Sequence, residues 1–305
     1  MINKSILILL TLSLSLMGFE YKLEPKKVSE NVWCFFGKLE MPTIENGGNM
    51  SNHCYIKAKS SYILIDSGPT YKYALTAYKT MSKIHNLPVS YVINTHEHDD
   101  HWLGNNFYKE KFDAKLIGVE LQDKNYEEGE ATRMHKLLTK DAIAGTKIVK
   151  LDMHIKEKKT ITLDGEKFEF IPVGQGHSQY DVFIYMPDKK VLFSGDLVMN
   201  GRITSNREGL VLGQLKALKK IQQYNFDVLI PGHGFDVSKN AMNESIQYFS
   251  LLKKRILEAV EEDTGLDGVT NFVKMVEFKD KKMFDLLNTP NVYRAYSELE
   301  FYEEE

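Results

Sequence analysis

One short stretch of the chain gathers three of its nine histidines with several acidic residues, directly after an apolar run at residues 89–94 that predicts a buried strand. Imidazole nitrogens and carboxylate oxygens are ligands that a borderline-soft dication such as Zn²⁺ prefers. His96 and His98 are two positions apart and point the same way in extended backbone. Asp100 and His101 come one turn later and face a second point. The spacing therefore favours two neighbouring metal ions, held by the stretch Thr95-His96-Glu97-His98-Asp99-Asp100-His101.

Four more polar residues stand where predicted strands end. His177, Asp196 and His233 each follow a glycine, which lets the backbone come close to a metal ion. Asp66 ends an earlier strand, and two roles for it stay open. Its carboxylate could hold a metal-binding imidazole in its working tautomer, or it could cap the helix that follows.

In this order, these residues resemble the metallo-β-lactamase fold superfamily over about residues 30–262. The resemblance implies an α/β (α+β) fold, a four-layer αβ/βα sandwich of two mixed β-sheets with helices outside and metals at one edge. It implies a first metal held by His96, His98 and His177. It implies a second held by Asp100, His101 and His233, with Asp196 bridging the two.

The expected cofactor is zinc, two ions per chain, although iron or manganese suits the same nitrogen and oxygen donors. Two dications sharing a water lower its pKa from ~16 toward ~7. The resulting hydroxide is expected to attack a small ester, thioester, lactone or amide, with Asp100 as the catalytic residue that orients it and relays its proton. The protein is thus predicted to be a metal-dependent hydrolase with a small-molecule substrate.

Three other functions remain open at this point. The first is an iron-dependent, persulfide dioxygenase-like redox enzyme, and the second is true β-lactamase activity. β-Lactamases of the zinc-cysteine kind carry Cys where this chain has Asp196, and a Lys for the drug's carboxylate where it has Met199 and Asn200. Arg202 is the candidate replacement for that Lys. The third is a non-catalytic binding protein with a structural metal, which an open water position disfavours.

A narrower resemblance is to the exported SoxH-like hydrolases, also called quinoprotein relay system zinc metallohydrolases. It is carried by residues 45–49, 65–69, 195–202 and 291–300. It implies a link to a periplasmic redox or sulfur-oxidation system as the partner, and no defined substrate.

The ends of the chain predict export and a three-part organisation. Residues 1–18 combine Lys4 with an apolar run of signal-peptide length, and an uncleaved membrane anchor is the alternative. We expect a periplasmic protein with no stable membrane insertion after cleavage, a catalytic domain at 19–263, and a helical C-terminal extension at 264–305 packed on it. The net charge of −3 and the lack of a basic block disfavour nucleic acid as a partner.

Cys34 and Cys54 fall in two predicted strands and are either a disulfide or two buried free thiols. Loops at 41–52, 120–145 and 200–210 are expected to shape the pocket. Helices are predicted at 71–85, 102–111, 210–224 and 238–262, with helix-prone sequence at 120–142. Strands are predicted at 32–36, 53–56, 61–65, 89–94, 114–119, 147–151, 159–163, 167–173, 182–186, 191–193 and 227–230.

Overall fold

Two mixed β-sheets form the centre of the molecule. The computed structural model describes residues 18–128 and 131–303, and within these ranges one sheet has seven strands and the other five. Residues 1–17, which hold nearly all of the predicted signal peptide, lie outside the described residues. No helix in the described ranges is long and apolar enough to cross a membrane.

The first sheet keeps its strands in chain order, β1 to β7. Strands β1 to β4 pair antiparallel, whereas β4 to β7 pair in parallel across helical connections. Its strands are β1 (Lys26–Ser29), β2 (Val32–Phe35), β3 (His53–Lys57), β4 (Tyr62–Ile65), β5 (Val89–Ile93), β6 (Lys115–Gly118) and β7 (Met153–His154).

The second sheet has the order β12-β11-β10-β9-β8. Its pairs are antiparallel except β11 with β12, which run in parallel. Asp164 and Gly165 both have positive φ in the turn between β8 and β9, as a two-residue hairpin turn requires. The strands are β8 (Lys159–Leu163), β9 (Glu166–Gly174), β10 (Asp181–Met186), β11 (Val191–Met199) and β12 (Val228–His233).

Helices cover the outer face of each sheet. The helices are α1 (Tyr71–Met81), α2 (Asp99–Trp102), α3 (Asn105–Phe112), α4 (Glu120–Glu128), α5 (Arg133–Leu137), α6 (Val211–Ile221), α7 (Asn243–Glu261), α8 (Gly265–Phe272) and α9 (Phe284–Leu299). A central core that includes Ile63, Phe170 and Phe193 fills the space between the sheets. One outer core joins the first sheet to α1 and α3, and another joins the second sheet to α6 through α9. The predicted sandwich is confirmed.

Several predicted elements are corrected by the structure. The strand expected at 147–151 is wrong, because the Leu151 N–H donates to the Asp123 side chain (2.8 Å) and not to a neighbouring strand. The helix expected from residue 238 begins at Asn243, since residues 238–242 form turns. Strand β11 continues to Met199, so Asp196 lies inside it, beside an irregularity in register at Gly195, and not at its end.

The two cysteines face each other on neighbouring strands and form a disulfide. Cys34 of β2 pairs in register with Cys54 of β3, with their Cα atoms 4.1 Å apart. Of the two alternatives left open by the sequence, the structure has the disulfide, and both residues are buried.

Replacing both Cys34 and Cys54 by alanine is expected to lower the free energy of unfolding. The bond closes a loop across 20 positions, and the lost restraint on the unfolded chain corresponds to about 3 kcal/mol. Urea denaturation of the double variant against the oxidised protein measures this difference. Equal midpoints and slopes would contradict it.

Candidate metal centre

The predicted ligands come together at one edge of the two sheets. Strand β5 leads into the loop and short helix that carry the first four of them, and β9, β11 and β12 deliver one each. A first group consists of His96, His98, His177 and Asp196, and a second group of Asp100, His101 and His233. In each group, one nitrogen or oxygen from every member lies within 4.8 Å of the others. All seven residues predicted from the sequence are therefore neighbours in space.

Each of the five imidazoles is held from outside by a hydrogen bond on one ring nitrogen. The His177 Nδ1–H donates to the Ser205 carbonyl (3.0 Å), and the His233 Nδ1–H donates to the Met50 carbonyl (2.6 Å). His98 Nε2 lies 3.2 Å from a Glu208 carboxylate oxygen. Such bonds fix the tautomer and leave the other nitrogen free to bind a metal ion.

Asp66 holds one histidine of each group. Its Oδ2 accepts from His101 Nδ1 (2.8 Å) and from the Thr95 hydroxyl (3.0 Å), and that hydroxyl contacts His96 Nδ1 (3.0 Å). Its backbone has φ of 57°, an uncommon conformation that aims the side chain at this network. The capping role is wrong, because Thr70 caps helix α1. The structure thus has the tautomer-holding role.

The inner atoms of the centre face one another without enough protons between them. His96 Nε2, His101 Nε2, Asp100 Oδ2 and Asp196 Oδ1 are buried and have no hydrogen-bond partner among the described residues. His98 Nδ1 and His177 Nε2 lie 3.0 Å apart. When both rings are neutral and their outer nitrogens carry the hydrogen, the inner ones present two lone pairs to each other. A shared cation satisfies both, so these side chains fit metal ions.

Asp196 lies between the two groups. Its Oδ2 is 3.2 Å from the Nε2 atoms of both His177 and His233, and its Oδ1 is 3.1 Å from His101 Nε2. The Asp196 carboxylate can occupy this place only because residue 232 is a glycine. A Cβ on residue 232 would lie 1.9 Å from Asp196 Oδ1. The carboxylate therefore touches both groups, as a bridging ligand would.

The charges at the centre follow from burial and proximity. Burial lowers the pKa of His96 well below 6.5, and the charge on His101 lowers it further. Burial alone would raise the pKa of Asp196, but the imidazoles of His233 and His101 hold it well below its ordinary value. At neutral pH the pair is a neutral imidazole and a carboxylate, which are the protonation states that bind metal ions.

Arg133 also contacts the ligand cluster, although no sequence motif marks it. Its Nη2 donates to Asp99 Oδ1 and Asp100 Oδ1, both at 2.7 Å. This leaves Asp100 Oδ2 facing His101 Nε2 and His233 Nε2, each at 3.5 Å. The segment 120–142 has no motif that would single out Arg133, and only its contact with the ligand cluster assigns it a role.

The centre forms the floor of a cleft of about 530 Å³. Each of the three predicted loops contributes to its wall, with Met41, Thr132 and Arg207 among the lining residues. Leu287 of α9 also lines it. The C-terminal part of the chain therefore reaches the site, which no motif there indicated.

Arg202 is a buried cation beside the metal centre. It is 5% exposed and lines the cleft, and it makes no ion pair with the described carboxylates. Its Nε donates to the Ile203 carbonyl (3.3 Å). Its Nη1 lies 3.4 Å from His233 Nδ1. That nitrogen cannot accept a hydrogen bond from Arg202, because it carries the hydrogen that it donates to the Met50 carbonyl. A guanidinium stays charged at all relevant pH values, so an anion in the cleft would complete its bonding.

Replacing Asp66 by asparagine is expected to weaken metal binding by roughly 10–100-fold, as for other residues that orient metal-binding histidines. An amide NH₂ facing His101 Nδ1 would move the ring proton to Nε2, the atom that faces the centre. Competition with a chromophoric chelator measures the affinity. Asp164→Asn is the matched control, because Asp164 also has positive φ and accepts hydrogen bonds from Ser60 and Ser61 at the far turn. Equal affinities in both variants would contradict the role of Asp66.

A family model described as the metallo-beta-lactamase superfamily matches residues 46–233, more than half of the chain. The chain belongs to that superfamily. The matched range includes all seven ligand candidates and ends at His233. The predicted family is thereby confirmed, whereas the SoxH-like relationship stays a prediction.

Relatives and solved structures in the superfamily extend this result. The chain is 27% identical over 218 residues to the beta-lactamase-like protein 2 homolog of Caenorhabditis elegans, covering 69% of this chain and 66% of that protein. It is 28% identical over 188 residues to the metallo-beta-lactamase IND-1 of Chryseobacterium indologenes, covering 60% and 71%. The structure of the inverting sec-alkylsulfatase Pisa1 from Pseudomonas sp. aligns with a TM-score of 0.70 at 17% identity, over 92% of this chain and 51% of that one.

The predicted enzyme class is confirmed at the level of the family, since named superfamily members are hydrolases. The alkylsulfatase likeness shows the shared fold alone. The structural alignment covers 92% of this chain, which is more than the family model matches, so most of the chain belongs to the shared fold.

Proposed function

We propose that the protein is an exported hydrolase with two divalent metal ions, acting on a small ester, thioester, lactone or amide that carries an anionic group. The observation that carries this proposal is the set of five imidazoles held from outside, with their inner nitrogens and two carboxylates converging on one cleft. A purely structural site would be closed by its ligands, whereas this one opens to a cleft large enough for a small substrate.

When bound, a pair of divalent ions supplies Lewis acidity and a water whose pKa is near neutrality. The chain's own residues define where such a pair would sit: the first group would hold one ion, the second group the other, and Asp196 would contact both. Asp100 keeps Oδ2 toward the centre because Arg133 holds its Oδ1. In that position Asp100 Oδ2 has no hydrogen-bond partner among the described residues, and it is available to accept the proton of an attacking water.

The anionic group of the substrate is inferred from Arg202. Its guanidinium lies beside His233 at the floor of the cleft and forms no ion pair with the carboxylates that the structure describes. A carboxylate, sulfonate or phosphonate placed there would accept charge-assisted hydrogen bonds while the reacting carbonyl reaches the centre. The position of Arg202 therefore supports the expectation that it replaces the drug-binding Lys. We extend that role to small anionic substrates in general.

Zinc and export belong to the same proposal. A set of five nitrogen and two carboxylate donors suits zinc, with iron or manganese as alternatives. The Cys34–Cys54 disulfide supports an oxidising compartment, in agreement with the signal-like sequence at residues 1–18. The link to a periplasmic redox or sulfur-oxidation system rests on the SoxH-like resemblance alone.

Metal analysis and substrate panels test the proposal. The purified protein is expected to contain two zinc ions per chain by mass spectrometry and to hydrolyse members of an ester, thioester, lactone and amide panel. Chelation should remove both properties, and Zn²⁺ should restore them. One iron per chain with oxidation of persulfides would favour the dioxygenase alternative. Activity confined to β-lactams would favour a true β-lactamase, and unchanged activity in the metal-free protein would exclude a metal-dependent hydrolase.

A further inference from the structure

The loop at 200–210 holds one metal ligand through its backbone. The Ser205 carbonyl accepts the hydrogen bond from His177 Nδ1 at 3.0 Å. This bond directs His177 Nε2 to the centre, where it lies 3.2 Å from Asp196 Oδ2. The position of a single carbonyl in the loop therefore sets the orientation of a first-group imidazole.

Asn291 of helix α9 forms hydrogen bonds with the backbone on both sides of that carbonyl. Its Nδ2 donates to the Thr204 carbonyl at 2.7 Å, and its Oδ1 accepts from the Asn206 N–H at 2.8 Å. Asn291 is 1% exposed, and its amide also donates to the Tyr248 hydroxyl at 2.9 Å. Both ends of the amide are thus satisfied, and Ser205 is fixed between its two contacts.

The rest of the C-terminal segment holds the same loop. The Ile203 N–H donates to the Lys282 carbonyl (2.9 Å), and the Lys282 N–H donates to the Gly201 carbonyl (3.1 Å). Beyond the loop, Glu298 accepts from the Val211 and Leu212 N–H groups at the start of α6. Residues 282–298 therefore act as a clamp along the stretch from Gly201 to Leu212.

We propose that Asn291 is a positioning residue for the metal centre, which acts through the Ser205 carbonyl and His177 to set the metal affinity of the first group. The inference rests on the proposed function only in requiring that these residues bind metal. It assigns to the C-terminal extension a part in assembling the site, through an amide that touches neither metal nor substrate.

Zinc titration against a chromophoric chelator tests this role in the purified, metal-free protein. Four proteins are compared: the wild type, Asn291→Ala, His177→Ala and the double variant. Asn291→Ala should weaken by about tenfold the same binding step that His177→Ala weakens, as for residues that orient a ligand. The double variant should bind no more weakly than His177→Ala alone, because Asn291 acts only through His177.

Two further variants keep the test decisive. Asn291→Asp keeps the size of the side chain and the acceptor for Asn206, but it sets an oxygen against the Thr204 carbonyl. It should reproduce the weakened step even if the alanine variant folds poorly. Asn288→Ala is the matched control, since Asn288 is also buried on α9 and contacts Tyr248 but makes no bond to residues 204–206. It should leave both binding steps unchanged.

Three outcomes would overturn the inference while leaving the metal centre in place: unchanged zinc affinity in Asn291→Asp, equal weakening of both steps, or additive losses in the double variant. An unchanged titration of His177→Ala would instead overturn the metal centre itself, and this inference with it.

Discussion

Replacing Asp196 by alanine is expected to remove metal from both groups and to lower hydrolytic activity by at least ~10³-fold, about 4 kcal/mol of transition-state stabilisation. Asp196 is the side chain that touches both groups, with contacts of 3.1–3.2 Å to His101, His177 and His233. Without it, five imidazoles, four of them buried, face one another around a single carboxylate, Asp100. Two cations bound there would lack the negative charge that offsets their repulsion.

Metal content by mass spectrometry and kcat/KM on the best substrate of the panel measure this effect. Asp188→Ala is the control, because Asp188 lies exposed in the turn between β10 and β11, one strand away from the centre. It should keep both metal ions and full activity. Retention of two ions per chain in Asp196→Ala would contradict the bridging role, even if activity were lost.

Arg202→Met is expected to raise KM for anionic substrates by roughly 10–100-fold, the equivalent of one charge-assisted hydrogen bond of about 1.5–3 kcal/mol. Methionine preserves the length of the side chain and removes its charge. The KM of a neutral substrate of similar shape should change little. Because an unpaired buried cation is costly in the free protein, the melting temperature of the variant should stay the same or rise.

The comparison with Arg255→Met separates this effect from a general loss of charge. Arg255 lies on α7 away from the cleft and pairs with Glu277, with its Nη1 2.8 Å from a carboxylate oxygen. That variant should leave KM unchanged for both kinds of substrate. If Arg202→Met raised KM equally for anionic and neutral substrates, the guanidinium would be shaping the cleft and not binding an anion.

Residues at strand ends were the part of the site that could be predicted from the chain alone. Three of the histidines come shortly after apolar runs, and their neighbours are also informative. His96 stands among other histidines and acidic residues, whereas His177 and His233 each follow a glycine. In a layered sandwich the ends of neighbouring strands meet at one edge, so local signals at distant positions report on the same place. Most of the individual strands were predicted from alternating and apolar runs, which are local signals. Their arrangement into two sheets was implied by the family resemblance.

Other features depended on contacts between distant segments. The segment at 147–151 has strand-like composition, yet its Leu151 N–H donates to the Asp123 side chain and not to a neighbouring strand. The next residue, Asp152, donates its N–H to the Leu116 carbonyl. Arg133 carries no motif, and its role comes from lying against Asp99 and Asp100. Whether Cys34 and Cys54 are bonded required the register of β2 against β3, which spacing does not determine.

The sequence by itself determined the ligand types and their order along the chain, because these depend on local pattern and donor chemistry. The fold followed from the resemblance of that ordered set to the family. Only the tertiary structure decided that Asp66 supports one histidine of each group, that Arg202 forms no ion pair within the described part of the chain, and that Asn291 holds the loop behind His177. The physical reason is that hydrogen bonding and burial are properties of neighbours in space. Residues 87 positions apart, such as Thr204 and Asn291, become partners only when the chain has packed.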